Sequence, residues 1–91
     1  MEIINLLGVI LAQKIDISQA AARGLLKLSI KDELGPFKSY DEISLQNLKS
    51  VIENSLKRRL VRLEVSDLEN LIQILVNVLI ENQSLITISK V

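Results

Sequence analysis

The sequence predicts a single all-α domain, a small bundle of four helices. Apolar side chains recur every three or four positions through most of the chain, which is the spacing of one helix face. Helix-start and helix-stop signals divide these stretches into four segments. Leu and Ile make up roughly a third of the 91 residues, enough for one packed core over residues 1–91. Short connections favour antiparallel neighbours, and orthogonally packed helices are the alternative.

The first two helices are delimited by the residues that flank them. Residues 2–15 are mostly apolar and predict a largely buried helix. Asp16 or Ser18 then supplies a side-chain oxygen for the free backbone amides that begin a second helix. That helix runs to Leu34, where the Gly35-Pro36 pair ends it.

Small residues recur at four-residue spacing in both of these helices. Gly8 is followed by Ala12, and Ala20 is followed by Gly24. Residues four apart share one face of a helix, so each pair lets another helix approach closely. We interpret both pairs as tight packing inside the bundle, with a contact between two copies of the chain as the alternative.

The third helix has the clearest periodicity. It begins at Asp41 or Ser44 and ends near Leu63, and its large apolar side chains form one inward face. These residues are Leu45, Leu48, Ile52, Leu56, Leu60 and Leu63.

The fourth helix is introduced by a capping-box pattern. Ser66 is followed three residues later by Glu69, and such a pair satisfies two backbone amides at a helix start. The pattern predicts a helix from Asp67 that is apolar around most of its circumference. The tail 85–91 is rich in β-branched residues and predicts either a frayed helix end or a short strand.

Two groups of residues are candidates for a partner interface. Val51, Val61 and Val65 lie opposite the leucine-rich face of the third helix, as an exposed apolar patch or as scattered surface valines. Phe37 and Tyr40 are the only aromatic residues, and both lie in the loop after the second helix. Such rings plug the open end of a bundle, the hypothesis we favour, or they anchor a partner when they are exposed.

A basic cluster occupies the second half of the third helix. When the leucines face inward, Arg58, Arg59 and Arg62 share one flank and Lys57 lies on the other. We expect the arginine flank to pair with acidic neighbours on the fourth helix and to form the charged rim of an interface. The alternative is contact with nucleic-acid phosphates across a dimer, although no aromatic side chain interleaves with the arginines for base stacking.

Composition limits the available chemistry. Lys plus Arg and Asp plus Glu number 11 each, so no net charge attracts polyanions or acidic substrates. The chain has no His and no Cys, which removes the commonest general base, the commonest metal ligands and thiol nucleophiles. We therefore expect no enzyme activity, no cofactor and no metal site. The carboxylate pairs Asp32-Glu33 and Asp41-Glu42 are interpreted as solvated groups near helix ends.

These observations favour a non-enzymatic protein-interaction or regulatory module. The apolar content is high for so short a chain, so we expect self-association as a homodimer or a place in a larger complex. A small nucleic-acid-binding regulator is the second hypothesis. The apolar runs are too short for a membrane span, which predicts a cytoplasmic protein. The abundance of Ile, Leu, Lys and Asn suggests a bacterial or archaeal source.

Overall fold

The computed structural model describes residues 1–89 and confirms an all-α fold, with no strand among these residues. Its helices are α1 Glu2–Ile15, α2 Gln19–Leu34, α3 over 45–62, α4 Leu68–Glu81 and α5 Ser84–Ser89. Within α3, α-helical Leu45–Ser50 leads into π-helical Val51–Leu56 and then into α-helical Lys57–Arg62. A 3-10 turn, Tyr40–Glu42, precedes α3. Of the two predictions for the tail, helix is correct over Ser84–Ser89, and residues 90 and 91 lie outside the described part.

The four long helices form a ring in which each helix contacts the next and α4 returns to α1. The short α5 also packs on α1. Ile and Leu side chains that are at most 2% exposed fill the inside of the ring. They include Ile3, Leu7, Leu11, Leu26, Ile30, Ile52, Leu56, Leu60, Leu75 and Leu79.

The helices α1 and α2 meet at a sharp bend. Their axes turn through 115° at the connection, so this pair packs nearer to orthogonal than to antiparallel. Within residues 1–89 no helix taken alone combines the length and apolar content that crossing a bilayer requires. The two helices meet those criteria only as this bent pair.

Backbone and side-chain caps set the ends of α1 and α2. Asp16 ends α1 in a left-handed conformation (φ 57°), and its amide donates to the Ala12 carbonyl. The Ser18 hydroxyl accepts a hydrogen bond from the Ala21 amide at 3.0 Å, which confirms Ser18 as the cap of α2. Gly35 ends α2 with a φ of 89°, a conformation that favours glycine.

The capping box lies at α3 and not at α4. The Ser44 hydroxyl accepts from the Asn47 amide at 3.1 Å, and the Asn47 side chain accepts from the Ser44 amide at 3.0 Å. The box predicted at Ser66 is wrong, because Asp67 precedes α4 in a left-handed conformation (φ 53°) without a side-chain cap. That turn keeps Ser66 out of the extended cap position from which a hydroxyl reaches the first amides of a helix.

The π-helical segment changes which side chains of α3 face the core. Its hydrogen bonds span five residues, which brings neighbouring side chains closer together around the axis. Val51, Ile52 and Ser55 are buried at the ordinary spacing of one helix face after Leu48, and the change of register at the π turn keeps Leu56 and Leu60 on that face. Val51 is 1% exposed, so the prediction that it lies on an outer apolar surface is wrong. Leu63, predicted to face inward, follows the last residue of α3 and is 57% exposed.

Two serines give a matched test of the capping assignment. Ser44→Ala removes the side-chain cap of α3, and we expect the free energy of unfolding to fall by about 1 kcal/mol. Ser66→Ala removes a hydroxyl that caps no helix, and stability should change by less than about 0.5 kcal/mol. Urea unfolding followed by circular dichroism measures both values. A larger loss for Ser66→Ala than for Ser44→Ala would place the cap at α4.

Candidate interaction surface

An apolar surface is left uncovered where α2 lies beside α3. On α2, Ala21, Leu25 and Leu28 follow one another at three- or four-residue spacing, with Gly24 between them. This spacing places all four on one side of the helix. Ala21 is exposed, and Leu28 is 47% exposed. Together with Leu63 they form the α2–α3 patch, which consists of Ala21, Gly24, Leu25, Leu28 and Leu63.

Leu25 and Leu63 join the two helices of the patch. They share a hollow of about 150 Å³ that is also lined by Arg59 and Arg62. Leu63 is largely exposed, whereas Leu25 is partly buried against the core. The hollow is therefore apolar at its centre and cationic at its edge.

Gly24 has no packing role among the described residues. A Cβ atom built at Gly8 would lie 2.9 Å from Cγ of Arg23, so Gly8 is what lets α2 pack closely on α1. A Cβ atom built at Gly24 would meet nothing within 4 Å. The prediction of tight packing inside the bundle therefore holds at Gly8 and fails at Gly24. Glycine in an exposed helix costs about 1 kcal/mol relative to alanine, and no contact within residues 1–89 accounts for that cost at Gly24.

The side of the patch formed by α3 carries an ion pair. Oδ2 of Asp32 accepts a hydrogen bond from Nε of Arg59 at 2.7 Å. This bond, and then the positive charges of Arg59, Arg58 and Arg62, lower the pKa of Asp32 below its ordinary value of 3.8. The same bond raises the pKa of Arg59. Asp32 and Arg59 are both partly exposed, so the pair orients the two helices more than it stabilises them.

A second polar link joins α2 to the π-helical segment. The Ser55 hydroxyl donates to Oε1 of Glu33 at 2.7 Å and accepts from Nη2 of Arg58 at 3.0 Å. That Arg58 nitrogen lies 3.9 Å from the same carboxylate oxygen. Because Ser55 is 1% exposed, its hydroxyl is a buried bridge between two charged side chains.

These contacts correct the expected pairing of the basic cluster. The arginine flank pairs with carboxylates of α2, and not with the fourth helix as predicted. Lys57 lies on the other flank, as predicted, and its Nζ is 2.6 Å from Oε1 of Glu69 on α4. The last turns of α2 lie beside the π-helical segment, which brings Asp32 and Glu33 within reach of the arginines.

Arg62 differs from the other two arginines of this flank. No hydrogen bond or ion pair joins its guanidinium to another side chain within the described part of the chain. Lys27 and Lys31 of α2 are also exposed. By helical periodicity they border the patch on the side that faces away from α3. Cationic side chains therefore lie on both sides of the patch.

The remaining candidate interface residues differ in exposure. Val61 is 57% exposed, whereas Val65 is partly buried against the core. Phe37 is 97% exposed and Tyr40 is 38% exposed. The Phe37 ring therefore does not plug the end of the bundle, and the side chain that reaches the core from this region is Ile43, which is 0% exposed.

Periodicity marks Leu28, but not Leu63, as exposed. Leu28 lies off the inward face that Leu26 and Ile30 define, and this offset is the one sequence signal of its exposure. Leu63 keeps the spacing of the inward face but follows the end of α3, so its position depends on where the helix stops. Gly24 is visible in the sequence, but only its surroundings show that it packs against nothing.

The Asp32–Arg59 pair predicts how stability depends on pH. Because the pKa of Asp32 is lowered in the folded state, its ionised form stabilises the fold above pH 3.8, and this contribution is lost as the pH falls below that value. The stability difference between wild type and Asp32→Asn should therefore be constant near neutral pH and shrink in acid. Urea unfolding over a pH series measures it. In an Arg59→Gln background the difference near neutral pH should be much smaller, and an equal difference at neutral pH would contradict the pairing.

Two buried serines test the polar link to the π-helical segment. Ser55→Ala should lower the free energy of unfolding by about 1–2 kcal/mol, because the Glu33 carboxylate loses a partly buried donor. Ser29 is also fully buried, but its hydroxyl donates to the Leu25 carbonyl of its own helix. Ser29→Ala leaves no charged group without a partner and should cost less. Equal losses in urea unfolding would show that the link contributes nothing.

No group of three or more His, Cys, Asp or Glu side chains within the described residues is arranged to hold a metal ion. Comparisons with protein-family models, with curated proteins and with solved structures give no match to this chain. Its function is therefore inferred from the α2–α3 patch and the charges around it.

Proposed function

We propose that the chain is a non-enzymatic protein-interaction module that binds a helix of a partner protein on the α2–α3 patch. The observation that carries this proposal is the apolar stripe of α2 that includes Gly24 and Leu28, which the rest of the described chain leaves uncovered. The hollow at Leu25 and Leu63 continues this surface onto α3. Exposed leucines bordered by charged side chains are typical of surfaces that bind an amphipathic helix.

The shape of the patch favours a helix as the occupant. The missing side chain at Gly24 allows a second helix to approach α2 near the short end of the usual interaxial range, about 8–10 Å. Leu28 lies one turn after Gly24 on α2, Leu63 lies beside Leu25 on the α3 side, and Leu28 and Leu63 are each about half exposed. Covering what remains of each side chain contributes about 1 kcal/mol. The free energy gained when the partner helix covers these leucines thereby offsets the destabilising effect of Gly24 on α2.

Nucleic-acid binding is the alternative function, and it has less support. Two of the three arginines of the predicted phosphate-binding flank, Arg58 and Arg59, already face carboxylates of α2. A phosphate group could contact these two arginines only by replacing the carboxylates. Each arginine that does not contact a phosphate lowers the affinity for nucleic acid and makes that affinity less dependent on salt. A cytoplasmic location remains part of our proposal.

A single substitution separates stability from binding at the patch. Gly24→Leu adds a side chain in open space and replaces glycine with a good helix former, so the free energy of unfolding should rise by about 0.5–1 kcal/mol. The same side chain blocks the approach of a second helix. We therefore expect a more stable protein that no longer binds a helical peptide.

The binding measurement uses a neutral probe peptide. The probe is a helical peptide with leucines at i, i+3, i+4 and i+7 and with Ala and Gln elsewhere, titrated into the 15N-labelled protein. Wild type should show amide shifts in α2 and at the end of α3, and Gly24→Leu should lose them. Asn70→Leu, which adds the same side chain on the exposed side of α4, is the matched control and should bind like wild type. Shifts elsewhere only, or shifts unaffected by Gly24→Leu, would contradict the proposal.

A further inference from the structure

The partner's chemistry can be inferred from the charges around the α2–α3 patch, if the proposed function is correct. We infer that the helix bound there is an acidic amphipathic helix, with a leucine-like apolar stripe and carboxylates on both sides of that stripe. The carboxylates of the partner are inferred from the positive charges around the patch, and its apolar stripe is inferred from the exposed leucines of the patch.

Cations outnumber carboxylates around the patch. On the α3 side, Arg59 and Arg62 line the hollow at Leu63. On the opposite side, Lys27 and Lys31 are exposed along α2. A helix lying over Gly24 between these two rows would bring both of its flanks next to positive charge.

Carboxylates near the patch are of two kinds: Asp16 and Glu64 share a second hollow with Lys14 beside Leu63 and reduce the positive charge at that end, whereas Asp32 and Glu33 are already paired. Asp32 is held by Arg59, and Glu33 is held by Ser55 and Arg58. These carboxylates turn toward α3 and keep the two arginines in place. Arg62, Lys27 and Lys31 form no ion pair within the described residues, so carboxylates of a partner would not have to displace an existing partner.

Other anionic ligands fit the patch less well. The centre of the patch is aliphatic and has no aromatic side chain on which a base could stack. A polyanion without apolar side chains would leave Leu28 and Leu63 exposed. An acidic amphipathic helix covers the leucines and meets the cations at the same time, and charge complementarity of this kind selects among partners and speeds association.

The test compares peptides that differ only in their charged positions. The neutral leucine peptide described above is titrated by calorimetry beside versions that carry Glu or Lys at the positions flanking the leucine stripe. A fourth peptide keeps the Glu residues and replaces the leucines with alanine, and a DNA duplex serves as the nucleic-acid probe. We expect the Glu peptide to bind at least about 10-fold more tightly than the neutral one at low salt, and the Lys peptide to bind more weakly than either. Raising the salt concentration should reduce the preference for Glu.

A matched pair of variants assigns the preference to the patch. Arg62→Gln should lower the preference for the Glu peptide several-fold and leave binding of the neutral peptide nearly unchanged. Lys49→Gln removes the same charge near the start of α3, about 20 Å from Arg62. It should change neither the affinity for the neutral peptide nor the preference for the Glu peptide.

The outcomes distinguish this inference from the proposed function. Equal binding of the Glu and neutral peptides, both lost in Gly24→Leu, would overturn the acidic partner and leave the helix-binding function standing. Failure of every peptide to bind would overturn both. Tighter binding of the DNA duplex or of the alanine-substituted Glu peptide than of the leucine-containing Glu peptide would overturn the amphipathic partner. Light scattering over a range of concentration tests for a dimer. If wild type is a dimer and Gly24→Leu is a monomer, a second copy of the chain occupies the patch, and the inference of an acidic partner helix is overturned.

Discussion

The candidate interaction surface depends on the π-helical segment Val51–Leu56. A π turn acts like a one-residue insertion, so it rotates every later side chain of α3 by about 100° relative to an uninterrupted α-helix. With this rotation Ser55 faces α2, Leu60 stays in the core, and Arg59 meets Asp32. Without it, the face defined by Leu48, Ile52 and Ser55 would continue to Arg59, which would then point into the core instead of toward α2. The hollow beside Leu63 follows from the same rotation.

The polar links to α3 and the apolar patch occupy different sides of α2. The side that faces α3 carries Asp32 and Glu33, whose contacts fix the rotation of α2 about its own axis. Exposed ion pairs contribute little net stability, so their main effect is on orientation. The orientation they set is the one that leaves Gly24 and Leu28 facing away from the core. The charged contacts therefore decide which apolar residues of α2 stay outside.

Most of the fold can be predicted from the sequence because its helices are strongly periodic and clearly delimited. The bounds of α1 and α2, with Ser18 and Gly35 at the ends of α2, follow from local rules of capping and chain termination. The capping box at Ser44 follows the same rules, but with Asn47 in the position where Glu or Gln is more usual. These features depend on neighbouring residues, which the sequence displays directly.

The candidate surface is harder to predict because it depends on packing between distant segments. Nothing local indicates that α3 contains a π turn, and that turn keeps Leu60 in the core and directs Arg59 toward α2. That Ile43 reaches the core from the loop while Phe37 stays exposed also depends on packing that the sequence does not display. The charge pattern of the sequence is also ambiguous, because the arginines could pair with carboxylates of α2 or of α4. Only the arrangement of the helices in space shows which carboxylates are within reach.

The position of α1 in the ring affects how the chain is made. Among the described helices α1 is translated first, yet it packs on α4 and α5, which are translated last. The face of α1 that contacts these two helices therefore stays uncovered until they have been translated. The core closes only after that point, and until then the uncovered face of α1 favours aggregation.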